Sequence, residues 1–241
     1  MGKQVSMFKF TGRTGDVVGA KDMKGNIISR AYQPSVRNPQ TLPQVTQRVK
    51  FLTATAISAA ICKADSAGLV KYANQQRITE RNALTKMLLD SGIITTPSSS
   101  VDEVRAEVDY EAMVIARGEG DYVSFGTPSF TEESEVSVTF SEASSSDLIH
   151  VVVYNDGSNE AAAAIAAGNL NSITVPVPTL WSGMRVHVYG FKLSFEDAEK
   201  AYLYQSYWTN RQVAAALATL RTAAAEAVSS RSQYIGTGTI A

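Results

Sequence analysis

Apolar positions change their rhythm along the chain, and each rhythm predicts a different kind of element. Between Val5 and Gln33, short apolar pairs such as Val17-Val18 and Ile27-Ile28 stand between Gly12, Gly15, Gly19 and the turn signal Lys24-Gly25-Asn26. Such a pattern belongs to a β-ribbon of short strands, which is marginal alone and must lie on something. Pro34 and Asn38-Pro39 then impose an extended crossing, because proline disfavours helix in the residue before it. At Thr41 the period becomes helical. Thr41-Leu42-Pro43-Gln44 has the form of a capping box, and Val45, Val49, Leu52 and Ala56 recur at four-three-four spacing behind it. Gly68 interrupts this pattern, and a further helix is expected over 79–90, with Leu84, Met87 and Leu88 inside and Ser91-Gly92 closing it.

Beyond Thr95-Thr96-Pro97-Ser98-Ser99-Ser100, which has the composition of a linker, the period falls to two. Strands are expected over 108–116, 122–125, 135–140, 148–154, 172–177, 185–192 and 202–208, separated by Gly-, Ser- and Asn-rich turns. Strands at this spacing without intervening long helices predict an antiparallel sandwich of immunoglobulin-like architecture, although the disulfide typical of such domains is absent. Residues 160–167, EAAAAIAA, break the alternation and read as a short helix or an alanine-lined loop. After Trp208, Val213, Leu217, Leu220, Ala224 and Val228 form the narrow stripe of a C-terminal helix, and 235–241 reads as an extended tail that only a partner would order. The expected fold class is therefore α+β: an N-terminal β-ribbon arm and helices, then an antiparallel immunoglobulin-like β-sandwich and a C-terminal helix. In residue terms these are an arm over 1–40, a helical segment over 41–94, a linker over 95–101, a sandwich over 102–208 and the helix with its tail over 209–241.

Charge changes this picture most. The whole chain has a formal net charge of −1, yet its first fifty residues hold nine Lys/Arg against Asp16 and Asp22, so the arm region is +7 and the remainder −8. An arm so charged is built to meet an acidic surface. The candidate partner-binding residues are Lys9, Arg13, Lys21, Lys24, Arg30, Arg37, Arg48 and Lys50. The single cysteine, Cys62, excludes an intrachain disulfide and reads as a buried, inert thiol. No apolar run is long enough to span a bilayer and no export signal is evident, so no membrane partner is expected.

Candidate chemistry is sparse. Gly12 and Gly15 lack the lysine and the following helix of a phosphate loop. His150 and His187 are the two histidines, each in an expected strand among valines; alternation places each opposite its valine neighbours, on what reads as a solvent or interface face. Two histidines and a distant cysteine do not make a zinc site, no serine sits in a nucleophile elbow, and the carboxylates occur in solvated runs. The expectation is no enzyme, no cofactor and no metal. Tyr202, Tyr204, Tyr207 and Trp208 cluster near one end, where core packing explains most of them and an exposed remainder would contact a partner.

The segment FTGRTGDVVGAK at 10–21, then NPQTLPQVTQRVKF at 38–51, DLIHVVVYN at 147–155 and WSGMRVHVYGF at 181–191 together resemble an uncharacterised protein family, a domain of unknown function of Bacteroidota and their phages. The likeness spans most of 10–208. It carries over no catalytic residue. What it implies is a phage or prophage setting, and hence a virion-associated structural protein assembled in the bacterial host cytoplasm, with copies of itself and other virion proteins as partners. A nucleic-acid-binding or packaging role for the same cations is the alternative.

Overall fold

The computed structural model describes residues 2–3, 11–21, 27–32, 40–131, 134–209 and 214–240. The chain divides at Thr41 into two units, Met1–Thr41 and Leu42–Ala241.

The first unit is a four-stranded antiparallel sheet rather than a two-stranded ribbon. Its strands are β1 (Gly2–Lys3), β2 (Gly12–Thr14), β3 (Val17–Lys21) and β4 (Ile27–Ala31), in the order β1-β4-β3-β2. Gly15, at a φ of +58°, turns β2 into β3. The turn expected at Lys24-Gly25-Asn26, the proline crossing, and Lys9, Lys24 and Arg37 lie outside the described residues. Of the described side-chain positions in this sheet, Gly19 alone is buried, and Val17 is 39% exposed. Among the described residues, neither face buries an apolar side chain.

In the second unit the helical period is realised by α1 (Leu42–Ala64), α2 (Val70–Gln76) and α3 (Glu80–Asp90). Thr79 caps α3, its Oγ1 accepting the Asn82 N–H at 3.3 Å. Gly68 sits in the tight turn between α1 and α2, where a Cβ would come within 2.3 Å of the Ala116 Cβ and 2.9 Å of the Phe191 ring. The short pair β5 (Ile94–Thr95) and β6 (Glu107–Val108) follows; the strand expected over 108–116 is confined to this pairing, and Met113, Ile115 and Ala116 are buried as irregular backbone. Then come β7 (Ser124–Phe125), β8 (Ser129–Thr131), β9 (Glu135–Ser141), β10 (Asp147–Asn155), β11 (Glu160–Ala167), β12 (Ser172–Pro176) and β13 (Arg185–Ser194). The chain closes with α4 (Ala198–Thr209), α5 (Ala214–Glu226), β14 (Val228–Ser229) and β15 (Gln233–Thr239).

Two antiparallel sheets face each other, one ordered β11-β10-β13-β14 with β15 also on β13, the other β12-β9-β7 with β8 also on β9. Ile149, Val151, Val153, Val186 and Val188 meet Val136, Val138, Ile173 and Val175 in the space between them. The outer face of the first sheet is not solvated. There Leu148, Val152, Tyr154, Tyr189, Phe191 and Leu193 share a core with Ile57 and Ile61 of α1, Leu84 and Leu88 of α3, Tyr204 of α4 and Leu220 of α5. All nine residues of β10 are consequently buried, and a strand covered on both faces reads as one apolar run. The architecture is α+β, three layers deep, with helices on a sandwich. The 95–101 stretch thus connects parts of one unit: Ile94–Thr95 pairs with β6, and the Ser98 hydroxyl donates to the Glu103 carbonyl at 2.6 Å.

Three expected elements differ in kind. Residues 160–167 are strand, not helix or loop, because they pair residue for residue with β10 and their small side chains let α1 lie close over the sheet; tertiary pairing overrides alanine's helix propensity. Residues 202–208 are helix, not strand. The buried positions are Ala201 and Tyr204, with Trp208 half-buried, a helical spacing that the aromatic alternation hid, and the Asp197 carboxylate caps the helix by accepting the Lys200 N–H at 2.7 Å. The tail over 235–241, expected to await a partner, is ordered within the chain as β15, antiparallel to β13, with Ile240 buried. The C-terminal helix stops at Glu226, and Val228 belongs to β14.

Candidate functional site

The candidate partner-binding residues separate into two groups. Register places Arg13 opposite Val18 and Val18 opposite Arg30, so Arg13, Val18 and Arg30 form one row on one face of the N-terminal sheet. Both arginines are exposed. Arg13 is held in place: its Nε–H donates to the Gly15 carbonyl at 3.0 Å, and its guanidinium carbon lies 3.5 Å from the centre of the Tyr32 ring. Lys21 pairs with Ile27 at the end of β3. Arg48 and Lys50 stand in the other unit, in the first turns of α1, with Arg48 exposed and Lys50 partly so. Two residues apart on a helix, they do not share a face.

Both histidines correct the sequence reading. Alternation does place each opposite its valine neighbours, but His150 lies under the helices and His187 under Tyr110 and Tyr234, so neither meets water. His150 is 0% exposed, stacked on Phe191 at 4.8 Å between ring centres and edge-on to Trp208 at 5.5 Å. Its Nδ1–H donates to the Asp65 Oδ2 at 2.6 Å, and Asp65 accepts the Ala67 N–H through its other oxygen at 2.9 Å. Among the described residues, no hydrogen-bond partner meets the His150 Nε2. Asp65 had no signal of its own in the sequence: it ends α1, 85 positions from the histidine it meets. Cys62 also differs in degree from expectation, being partly exposed instead of buried. Burial, then Glu80 and Asp65, push its thiol up to about 12, so it is protonated and not a nucleophile at neutral pH.

His187 stands at the other end of β13 in a polar cluster. Tyr110 stacks on it at 4.1 Å, and Asp156 Oδ2 lies 3.6 Å from its Nε2, beyond hydrogen-bond reach. Burial pushes the His187 pKa down, against the pull of Asp156. Burial also opposes ionisation of Asp156, but the Arg185 guanidinium outweighs it and holds this carboxyl below the usual range. Burial raises the Tyr110 and Tyr154 phenols, which stay protonated. The cluster is an ion-pair and aromatic network that reaches solvent at Arg185, whose side chain is 61% exposed. Among the described residues no group of three or more His, Cys, Asp or Glu could hold a metal ion.

Of the aromatic cluster, Tyr204 is core while Tyr202 is 71% exposed and Tyr207 39%, the division that helical rather than strand geometry imposes. No described helix is long and apolar enough to cross a membrane. No curated protein and no solved structure matches the chain. A family model described as a family of unknown function, DUF6266, matches residues 9–208. That span takes in β2–β4 with the basic row, α1–α3, β5–β13 and α4 as far as Trp208, while α5, β14 and β15 lie beyond it, and the chain belongs to the DUF6266 family.

Proposed function

We propose that this is a structural, non-enzymatic assembly protein, in which residues 1–41 form an arm that docks on the acidic body of a neighbouring copy. The setting that the family resemblance implies is a phage or prophage particle of Bacteroidota, with other virion proteins as further partners. One observation carries the reading: among its described residues the N-terminal sheet buries Gly19 alone. A small sheet whose described positions bury no apolar side chain draws little stability from them in water, and we infer that another surface supplies the rest. Charge selects that surface. Residues 1–41 hold seven Lys/Arg against two Asp, a net +5, and residues 42–241 hold 15 Lys/Arg against 21 Asp/Glu, a net −6, so each copy offers what the next one needs. Arms that order on assembly bury a large surface per residue, and repeated contacts of one kind close into symmetric oligomers.

The rival reading, nucleic acid on the same cations, draws support from the row Arg13–Val18–Arg30 with Tyr32 beside it. Tyr32 is already covered by the Arg13 guanidinium, however, and a covered ring is no platform for a base. Sedimentation of the full chain beside a chain starting at Thr41 separates the two. Assembly through the arm requires oligomers of the full chain at micromolar concentration, without nucleic acid, and monomers after truncation. A full chain that stays monomeric until oligonucleotide is added, with an affinity that falls steeply with salt, would establish the rival instead.

A further inference from the structure

Residues 51–241 are acidic, with 13 Lys/Arg against 21 Asp/Glu, yet a cavity of about 560 Å³ in this unit is lined by cations. Lys86 of α3, Arg117 and Arg231 contribute side chains to it, and Asp90 is the one carboxylate among its lining residues. None of these three cations is in an ion pair with a described residue. Three cations around a single carboxylate, none of them in an ion pair with a described residue, repel one another, so the arrangement is suited to an anion.

The arginines are mounted on rigid backbone. The Ser232 hydroxyl oxygen accepts the N–H groups of Ile115 at 2.8 Å and Ala116 at 3.2 Å, the Ser232 N–H donates to the Ala116 carbonyl at 3.1 Å, and the Gly120 N–H donates to the Ser229 carbonyl at 3.0 Å. Between Arg117 and this second segment the chains approach so closely that a Cβ on Gly118 would stand 1.7 Å from the Ser229 carbonyl oxygen. Arg117 is further fixed by its own N–H, which donates to the Gly68 carbonyl at 3.0 Å, and by its guanidinium lying 4.6 Å from the Tyr72 ring centre. A guanidinium stacked by its face keeps its N–H edge for a ligand. Positions 86, 117 and 231 are far apart in sequence, and no local motif announces them.

We propose that this cavity binds a phosphate monoester, with the phosphoryl group held by Arg117, Arg231 and Lys86 and the organic portion against Met87, Ile93 and Val114. Charge selects the ligand class. Three cations and Asp90 leave a local excess of two positive charges, and a phosphate monoester carries about −1.5 to −2 at neutral pH, whereas a single carboxylate would offset half. Size selects an ester over free phosphate, because the volume falls in the range of about 300–1,000 Å³ typical of sites for small organic ligands and has an apolar wall for the rest of the molecule. Paired planar guanidinium groups match phosphoryl oxygens bidentately.

Isothermal titration of the full chain with adenosine 5′-monophosphate, glucose 6-phosphate, inorganic phosphate and adenosine tests this. At least one ester binds with a sub-millimolar Kd, more tightly than inorganic phosphate, and adenosine does not bind. Arg117→Gln and Arg231→Gln each weaken the ester by about tenfold, with unfolding midpoints unchanged because both side chains are exposed. A preference for the nucleotide would assign the apolar wall to a planar base, and a preference for the sugar phosphate to a polyol; either supports the proposal. It is overturned if neither ester binds at millimolar concentration, if adenosine binds as well as its monophosphate, if inorganic phosphate binds as well as the esters, or if the Arg117→Gln/Arg231→Gln double variant binds as the parent does.

Discussion

The sheet of residues 2–31 and the sheet built on β10 are made from similar short β-branched runs, and they differ in what covers them. β10 has an apolar layer on each side and buries all nine of its residues. The N-terminal sheet buries Gly19 alone among its described positions. Burying a Val or Leu side chain contributes about 1.5–3 kcal/mol, so the free energy of folding resides in residues 42–241. The lesson is a division of labour. On the proposed assembly, substitutions in the body are expected to change unfolding, while substitutions in the arm are expected to change association and leave unfolding nearly untouched.

The largest departure comes from the buried pair under α1. Removing the carboxylate in Asp65→Ala leaves the His150 Nδ1–H without its acceptor in a site from which water is excluded, in addition to the Nε2 that has none. The expected loss is about 3 kcal/mol, read as a lower urea midpoint at an unchanged denaturant slope. Asp65→Asn retains an acceptor oxygen and is expected to lose less. A loss under 1 kcal/mol in Asp65→Ala would show that the pair is incidental to the core and would weaken the contrast between the two regions.

Next in size is a comparison of glycines. Gly118→Ala drives a Cβ into the Ser229 carbonyl, and backbone on both sides must shift, at about 2 kcal/mol. In the arm, Gly12 has a φ of +98° and nothing within 4 Å of where a Cβ would stand, so Gly12→Ala is opposed by backbone conformation alone, at about 1 kcal/mol. Thermal unfolding of the full chain should register the first and miss the second, which instead loosens the arm and is seen as faster proteolysis near residue 12. Equal thermal shifts would mean that the two units unfold together.

How far these features were legible follows from the same contrast. Helices with local signals are legible directly: the four-three-four spacing behind Thr41 announces α1 and the apolar period over 79–90 announces α3, although the first spacing marks the wrong face, Leu52 being 65% exposed where Ile57 and Ile61 are buried. The α+β class is also legible. Coverage is not. Nothing local to DLIHVVVYN tells that helices 80 positions upstream lie on it, so His150 and His187 read as solvent-facing while their alternation was read correctly. EAAAAIAA carries helix propensity, and only its partner β10 makes it a strand. Asp197 in FEDAEK was a cap signal, obscured by reading its neighbours as a solvated run. For the candidate site, the basic character of the arm was legible and the row Arg13–Val18–Arg30 was not, since it depends on register across three strands.

Acidification probes the body alone. The His187 pKa is depressed from 6.5 by burial, so below that pH the unfolded chain takes up a proton that the folded chain refuses, and stability falls as the pH drops from 6.5 toward the folded value. Asp147 and Asp156 are depressed below 3.8, burial being outweighed by hydrogen bonds from Ser194 and Ser144 in the first and by Arg185 in the second. Their contribution is present above 3.8 and is lost as the pH falls through their folded values. Two separate limbs are therefore expected in the unfolding midpoint against pH. His187→Phe should remove the limb just below 6.5 and spare the carboxylate limb; a profile identical to the parent's would assign that limb elsewhere.

The smallest effect on folding is the one that bears most on function. Arg13 and Arg30 are exposed on a sheet whose described positions bury no apolar side chain, and Arg13→Ala/Arg30→Ala is expected to move the unfolding free energy by less than about 0.5 kcal/mol. Association should respond differently. Two exposed ion pairs across an interface, at about 0.2–1 kcal/mol each, weaken assembly by about fivefold, and added salt weakens the parent toward the variant because screening removes the same attraction. Sedimentation at several salt concentrations reads both quantities on the same samples. If the double variant assembles like the parent at low salt, the row of arginines is a solvated face, and the arm grips its partner through other residues; if it unfolds earlier than the parent, the sheet of residues 2–31 is part of the folded body's stability and the division drawn between the two regions is lost.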